Sequence, residues 1–287
     1  MTNFWLIQSL NSLALGGLFF LLSVGFSLIF GLMRIVNLSH GAYFMLGAYV
    51  GLTTLRLGGG FILAILAGAA AVAFLGGLIE RLLLRRLSGR ALSQVLVTLG
   101  ISFIIADACL LTWGGDPIPL PTPEILKGAI RVGAIGFPIY RIAIFGLSLL
   151  VAVGMWLLME KTRIGVMIRA GVDDMQMARG LGIPVPKLFT VVFCLGAALA
   201  GAGGVLGGPI LSVYPGLDTD MLPLALVVVI LGGVGSLPGA LVGSFVIGFV
   251  YTFGQVLLPD YSYMILFIPM VIILAVRPRG LFGRIST

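Results

Sequence analysis

Residues 1–33 read MTNFWLIQSLNSLALGGLFFLLSVGFSLIFGLM and contain no ionisable side chain. A bilayer core about 30 Å thick needs roughly 20 apolar residues for one helical crossing. The run exceeds that length and lacks both a basic leader and a small-residue cleavage site, so it reads as a retained first membrane helix and not as a signal peptide. Further runs free of Asp, Glu, Lys and Arg follow at 35–55, 57–79, 91–106, 142–159, 188–217, 221–259 and 261–276. The run 221–259 is too long for one crossing. In its middle, Gly232, Gly233, Val234, Gly235, Ser236, Leu237 and Pro238 combine helix breakers with turn formers, which splits it into a short helix and a full one.

Composition agrees with this reading. Of 287 residues 60% are hydrophobic and 9% charged, against about 25% charged in a soluble domain, so a water-soluble enzyme is excluded. The fold class expected is an all-α integral membrane protein of about nine transmembrane segments, eight if one is re-entrant, forming a single transmembrane domain over 1–287. The formal charge of +7 does not point to nucleic acid, because the basic residues are scattered between apolar runs. They read instead as topology signals. Polar segments fall at 81–90, 113–140, 160–187 and 277–287. Arg34, together with the basic residues of the first, third and fourth of these (Arg284 among them), makes 13 of the 17 basic side chains. The positive-inside rule sets these regions in the cytoplasm. Arg56, Lys127, Arg131 and Arg141 are left for the other side, giving an N-terminus outside, a C-terminus inside and an extracytoplasmic loop at 113–140. In that loop the alternating Pro117, Pro119, Pro121 and Pro123 favour extended backbone.

Two segments, 39–55 and 221–235, are short and glycine-flanked. In a transporter such spans mark irregular backbone around a protein-lined cavity; the alternative is ordinary tilted helices. Gly47 and Gly51, Gly203 and Gly207, Gly204 and Gly208, and Gly239 and Gly243 are spaced for close helix approach.

Several chemistries lack their residues. There is no GxxxxGK[ST] loop for nucleotide phosphates. His40 is the single histidine, so neither HExxH nor a choice of catalytic triads exists. Cys109 and Cys194 lie in uncharged runs and form no metal or disulfide pattern. Asp107 is the one acidic residue inside an expected span, which argues against self-sufficient ion coupling. Energy for uphill transport would have to arrive from another subunit.

One element suits its delivery. Within the cytoplasmic loop 160–187, residues 171–184 read as a short helix: Asp173 or Asp174 caps its start, and Gly180 or Gly182 followed by Pro184 stops it. Met177 and Leu181, four apart, give it an apolar face that needs a partner subunit or the headgroup region to cover it. At the other candidate site, a helix starting near Ser39 would present free N–H groups and a positive dipole end to a substrate carboxylate or a gate. Alternatively Asn37 and Ser39 merely cap that helix while His40 bonds a neighbouring carbonyl.

The pattern Ala178, Gly180, Gly182, Ile183, Pro184 resembles a variant of the short cytoplasmic loop of ABC importer permeases, in which a coupling helix fits a groove on the ATPase. Asn37, Leu38, Ser39, His40, Gly41, with Gly47 and Ala48 beyond, resembles the N-terminal signature of branched-chain amino acid importer permeases of the LivH type. The stretch from Leu231 through Gly232, Gly233, Gly235, Ser236 and Gly239 to Ala240 resembles their C-terminal one. Many relatives carry an acidic residue where this chain has Ala42, so a role for that carboxylate does not transfer. The resemblance implies a bacterial inner-membrane permease for branched-chain amino acids or a related small solute. Its implied partners are a second LivH- or LivM-type permease, two cytoplasmic ATPases and an extracytoplasmic solute-binding protein. ATP and Mg would be held on the ATPases, with no cofactor or metal in this chain. It also implies that the Asp173–Pro184 element couples to the ATPases and that the two signatures flank the pathway or gate. The alternative is a channel or facilitator working without ATP.

Overall fold

The computed structural model describes residues 2–132 and 135–283; Arg284 lies outside them. In chain order the helices are α1 (Thr2–Met33), α2 (His40–Arg56), α3 (Phe61–Leu82), α4 (Ala91–Trp113), α5 (Ile139–Lys161), α6 (Arg163–Asp173), α7 (Met175–Gly180), α8 (Val185–Leu211), α9 (Leu217–Gly232), α10 (Leu237–Leu257) and α11 (Ser262–Val276). Six of them, α1, α3, α4, α5, α8 and α10, are long and apolar enough to cross a membrane. The apolar helices α2, α9 and α11 have 17, 16 and 15 residues, short of a full crossing. The chain is a multi-pass membrane protein.

The bundle is built around α1. Its apolar window is 83% buried, against 28% for α3 and α4 and 22% for α5. A helix apolar on every side belongs at such a centre. The outer helices instead turn Leu66, Phe74, Phe103, Leu111 and Leu150 outward, as a lipid-facing surface requires.

Close approach of backbones holds the centre together. A Cβ on Gly25 of α1 would lie 2.8 Å from the Gly196 Cα of α8, and one on Gly196 would lie 2.7 Å from the Gly25 carbonyl oxygen. Gly47 of α2 sits equally close to the Gly201 backbone, and Gly204 to the Phe44 carbonyl. Packing of this kind replaces the hydrophobic drive that lipid cannot supply.

The helices alternate, so Arg34, Arg85, Arg90, Lys161, Arg179 and Arg277 collect at one end of the bundle, here the basic end. The opposite end carries a small correction to the all-helical reading. Strands β1 (Ala129–Val132) and β2 (Ile135–Pro138) pair antiparallel there, and Ile118 bridges to Val213. Four-residue strands inside a proline-rich segment are too short to register as alternation.

Candidate translocation and coupling sites

The first half-helix begins deep in the bundle. After α1 ends, Arg34 takes a left-handed conformation (φ 54°) and residues 35–37 run back without helical structure. The Leu38 amide donates to the Thr98 hydroxyl of α4 at 3.1 Å. His40 Nε2 then lies 2.9 Å from the Leu22 carbonyl oxygen. Leu22 is eleven residues before the end of α1, roughly 16 Å along the axis at about 1.5 Å per residue. The start of α2 therefore lies well inside the bundle, about half the thickness of a 30 Å core from the end of α1.

At this start the Asn37 carbonyl oxygen of the side chain accepts from both the Ser39 amide (3.2 Å) and the Ser39 hydroxyl (2.6 Å). Ser39 makes no side-chain cap on α2. Of the second alternative, the histidine-to-carbonyl bond is present and the Ser39 cap is not. Asn37 Nδ2 and His40 Nδ1 are buried here, with the Tyr43 hydroxyl close by. At its far end α2 is tied to α4, where Trp113 donates to Thr53 at 2.8 Å and stacks on Tyr49.

A second half-helix meets the first. α9 starts after Gly216, whose left-handed backbone (φ 106°) stops the preceding turn, and carries Asp218 and Asp220 in its first turn, where the helix dipole favours them. It begins four residues earlier than the apolar run, because a window that breaks at charge leaves these acids outside. The Asp218 carbonyl lies against Gly41, leaving no room for a Cβ. The residue is buried, and its carboxylate accepts from Ser102 of α4 at 3.4 Å. Asp218 is thus buried where α2, α4 and α9 meet, whereas Asp107 is exposed. Its one signal in the sequence is the run Thr98, Ser102 on a single face of α4, which the spacing of four residues sets toward α2 and α9.

The glycine cluster between α9 and α10 lies at the basic end, where Gly235 packs against Gly31 near the end of α1. Gly232 and Gly239 face each other backbone to backbone. The Leu281 and Phe282 amides donate to the Leu231 and Gly232 carbonyls, both at 2.9 Å, satisfying helix-end groups that otherwise lack partners. Gly233 and Gly235 take positive φ (102° and 74°), and Ser236 caps α10 by accepting from the Gly239 amide at 3.1 Å.

At the same end the expected short helix is divided. Asp173 closes α6, and Asp174 caps α7 by accepting from the Gln176 and Met177 amides at 2.8 and 2.9 Å. Gly182 (φ 82°) ends it, with the Ile183 amide returning to the Ala178 carbonyl at 3.1 Å. Ala178 is buried; Met177 and Leu181 are 62% and 73% exposed, and Gly180 has open space before it. Beside α7 a groove of about 1090 Å³ is lined by Arg34, Gln94, Asp174, Gln176, Arg179 and Pro186, among others. A network absent from the sequence reading braces its wall. Arg85 pairs with the fully buried Glu80 at 3.0 Å and donates to the Pro186 carbonyl at 2.9 Å, while Thr190 donates to Glu80 at 2.7 Å. This fixes the start of α8, directly after Pro184, to the end of α3. Among the described residues no group of His, Cys, Asp and Glu could hold a metal ion.

A lipid-facing bundle with two short helices meeting inside it, and a small exposed helix at one end, has the make-up of a transport subunit. Residues 8–274 match the family described as branched-chain amino acid transport system, permease component, and the chain belongs to that family. It is 30% identical to the high-affinity branched-chain amino acid transport permease protein BraD of Pseudomonas aeruginosa, over 98% of this chain and 96% of the relative. With the LivH permease of Escherichia coli it shares 27% over the same fractions. The fructose import permease FrcC of Rhizobium meliloti is more distant, 27% identical over 84% of this chain and 69% of its own length. No solved structure matches.

Proposed function

We propose that the chain is the membrane-spanning permease of an ATP-driven importer for branched-chain amino acids or a closely related small solute, in a bacterial inner membrane. The basic end faces the cytoplasm, the N-terminus lies outside, and α1–α5 and α8–α11 give nine segments, with α2 and α9 interrupted at mid-depth. The partners are a second related permease, two ATPases carrying ATP and Mg, and an extracytoplasmic binding protein.

The observation that carries this reading is α7: a six-residue helix capped at both ends, seated through Ala178, with Met177, Gly180 and Leu181 turned outward beside a groove. So small an element cannot form a core of its own, and its apolar face suits a groove on an ATPase. Force on Asp174 through Pro184 reaches α8 at Val185 and then α1, α2 and α3, against which α8 packs. The start of α2 (Asn37, Ser39, His40, Gly41) lines the pathway, and the knot of Gly232, Gly233, Gly235, Ser236 and Gly239 holds the cytoplasmic gate.

Reconstitution tests this. The assembled complex in proteoliposomes should accumulate radiolabelled leucine only when ATP is supplied to the ATPase side. Equal uptake without ATP would replace the importer by a facilitator.

A further inference from the structure

We propose that the Asp218 carboxylate, beside Ser102 and against the first turn of α2, is the point inside the membrane where the permease takes the ammonium group of its solute. This rests on the amino-acid reading above and adds to it a residue and a role. An ionisable side chain at membrane depth is costly and is normally paired. Asp218 is not: the ion pairs among the described residues are Arg85–Glu80, Lys127–Glu124 and Arg169–Glu160, and its Oδ1 has no hydrogen-bond partner. The neighbouring Asp220, by contrast, accepts from Tyr214 at 2.5 Å. A position in the first turn of α9 favours a negative charge, so the group is held as an acceptor whose counter-charge is missing.

The counter-charge must be small and mobile, and it is a primary ammonium in preference to a metal ion. One carboxylate and one hydroxyl fall well short of the six or more oxygens that a hard cation collects. On the other side of the contact, the start of α2 offers the complementary end. Ser39 leaves the first-turn amides of α2 without a side-chain cap, and Asn37 Nδ2, a donor, is buried there. Gly41 brings the two half-helices together here. A positive helix start beside a free carboxylate matches a zwitterion in both charges.

The test uses the assembled transporter in proteoliposomes. Asp218→Asn should lower ATP-driven leucine uptake at least tenfold, Asp218→Glu should retain most of it, and both should keep normal membrane insertion and assembly with the ATPases. Asparagine equal to wild type, or glutamate as poor as asparagine, would overturn the proposal. A second readout is independent of transport. In a background with Cys109→Ala and Cys194→Ser, Ser102→Cys should react at least tenfold faster with a cationic methanethiosulfonate than with an anionic one, and Asp218→Asn should abolish that preference. Equal rates with both reagents would refute the site. A charge preference in a transporter that does not carry leucine would keep the cation site and reject the amino-acid reading.

Discussion

His40 meets the Leu22 carbonyl at 2.9 Å, and through that bond the first residue of α2 is fixed to the interior stretch of α1. The ring is fully buried and packs 5.2 Å from Phe26, so it sets the depth at which α2 starts. Replacing it by alanine removes both a buried hydrogen bond and a ring, a loss of about 2–4 kcal/mol. His40→Ala should lower the melting temperature of the purified complex and reduce uptake. His40→Gln, which keeps a donor, should recover part of both.

The glycines divide into those that are needed and those that are not. A Cβ on Gly204 would collide with the Phe44 carbonyl, whereas one on Gly154 in α5 meets nothing within 4 Å. Gly204→Ala should destabilise by about 1–3 kcal/mol, the cost of overpacking. Gly154→Ala should be neutral or stabilising by up to about 1 kcal/mol, from helix propensity. Thermal unfolding of the two variants in the same detergent compares them directly.

Much of this bundle was legible in the sequence because lipid forces apolar helices to be long and uncharged, and breaks between them to carry glycine, proline or charge. The ends of α7 were legible for the same kind of reason, since Asp174 and Gly182 act locally. Depth was not. Nothing local to residues 34–40 reveals that the chain doubles back along α1, because the bond that fixes it spans 18 residues. Asp218 escaped notice because charge marks the edge of an apolar run, although its helix begins inside the bundle. The strand pair β1 and β2 and the Arg85–Glu80–Thr190 network depend on partners distant in the chain or on strands too short to show a period.

That network makes a separate prediction. Glu80 is fully buried and Arg85 about one-third exposed, so removing the arginine alone strands a charge. Arg85→Ala should cost about 2 kcal/mol or more, after allowance for its partial exposure. The double variant Glu80→Leu with Arg85→Leu should recover much of that loss. A double-mutant cycle read by thermal unfolding measures the coupling.

The most direct test of the account asks whether force enters through α7. Met177→Glu with Leu181→Glu places charges on its exposed apolar face while leaving Ala178 and the Asp174 cap intact. In proteoliposomes holding the complete transporter, ATP-driven leucine uptake and the ATP hydrolysis that accompanies it should both fall at least tenfold, with the permease still folded and membrane-inserted. Uptake at the wild-type rate in that variant would contradict the account.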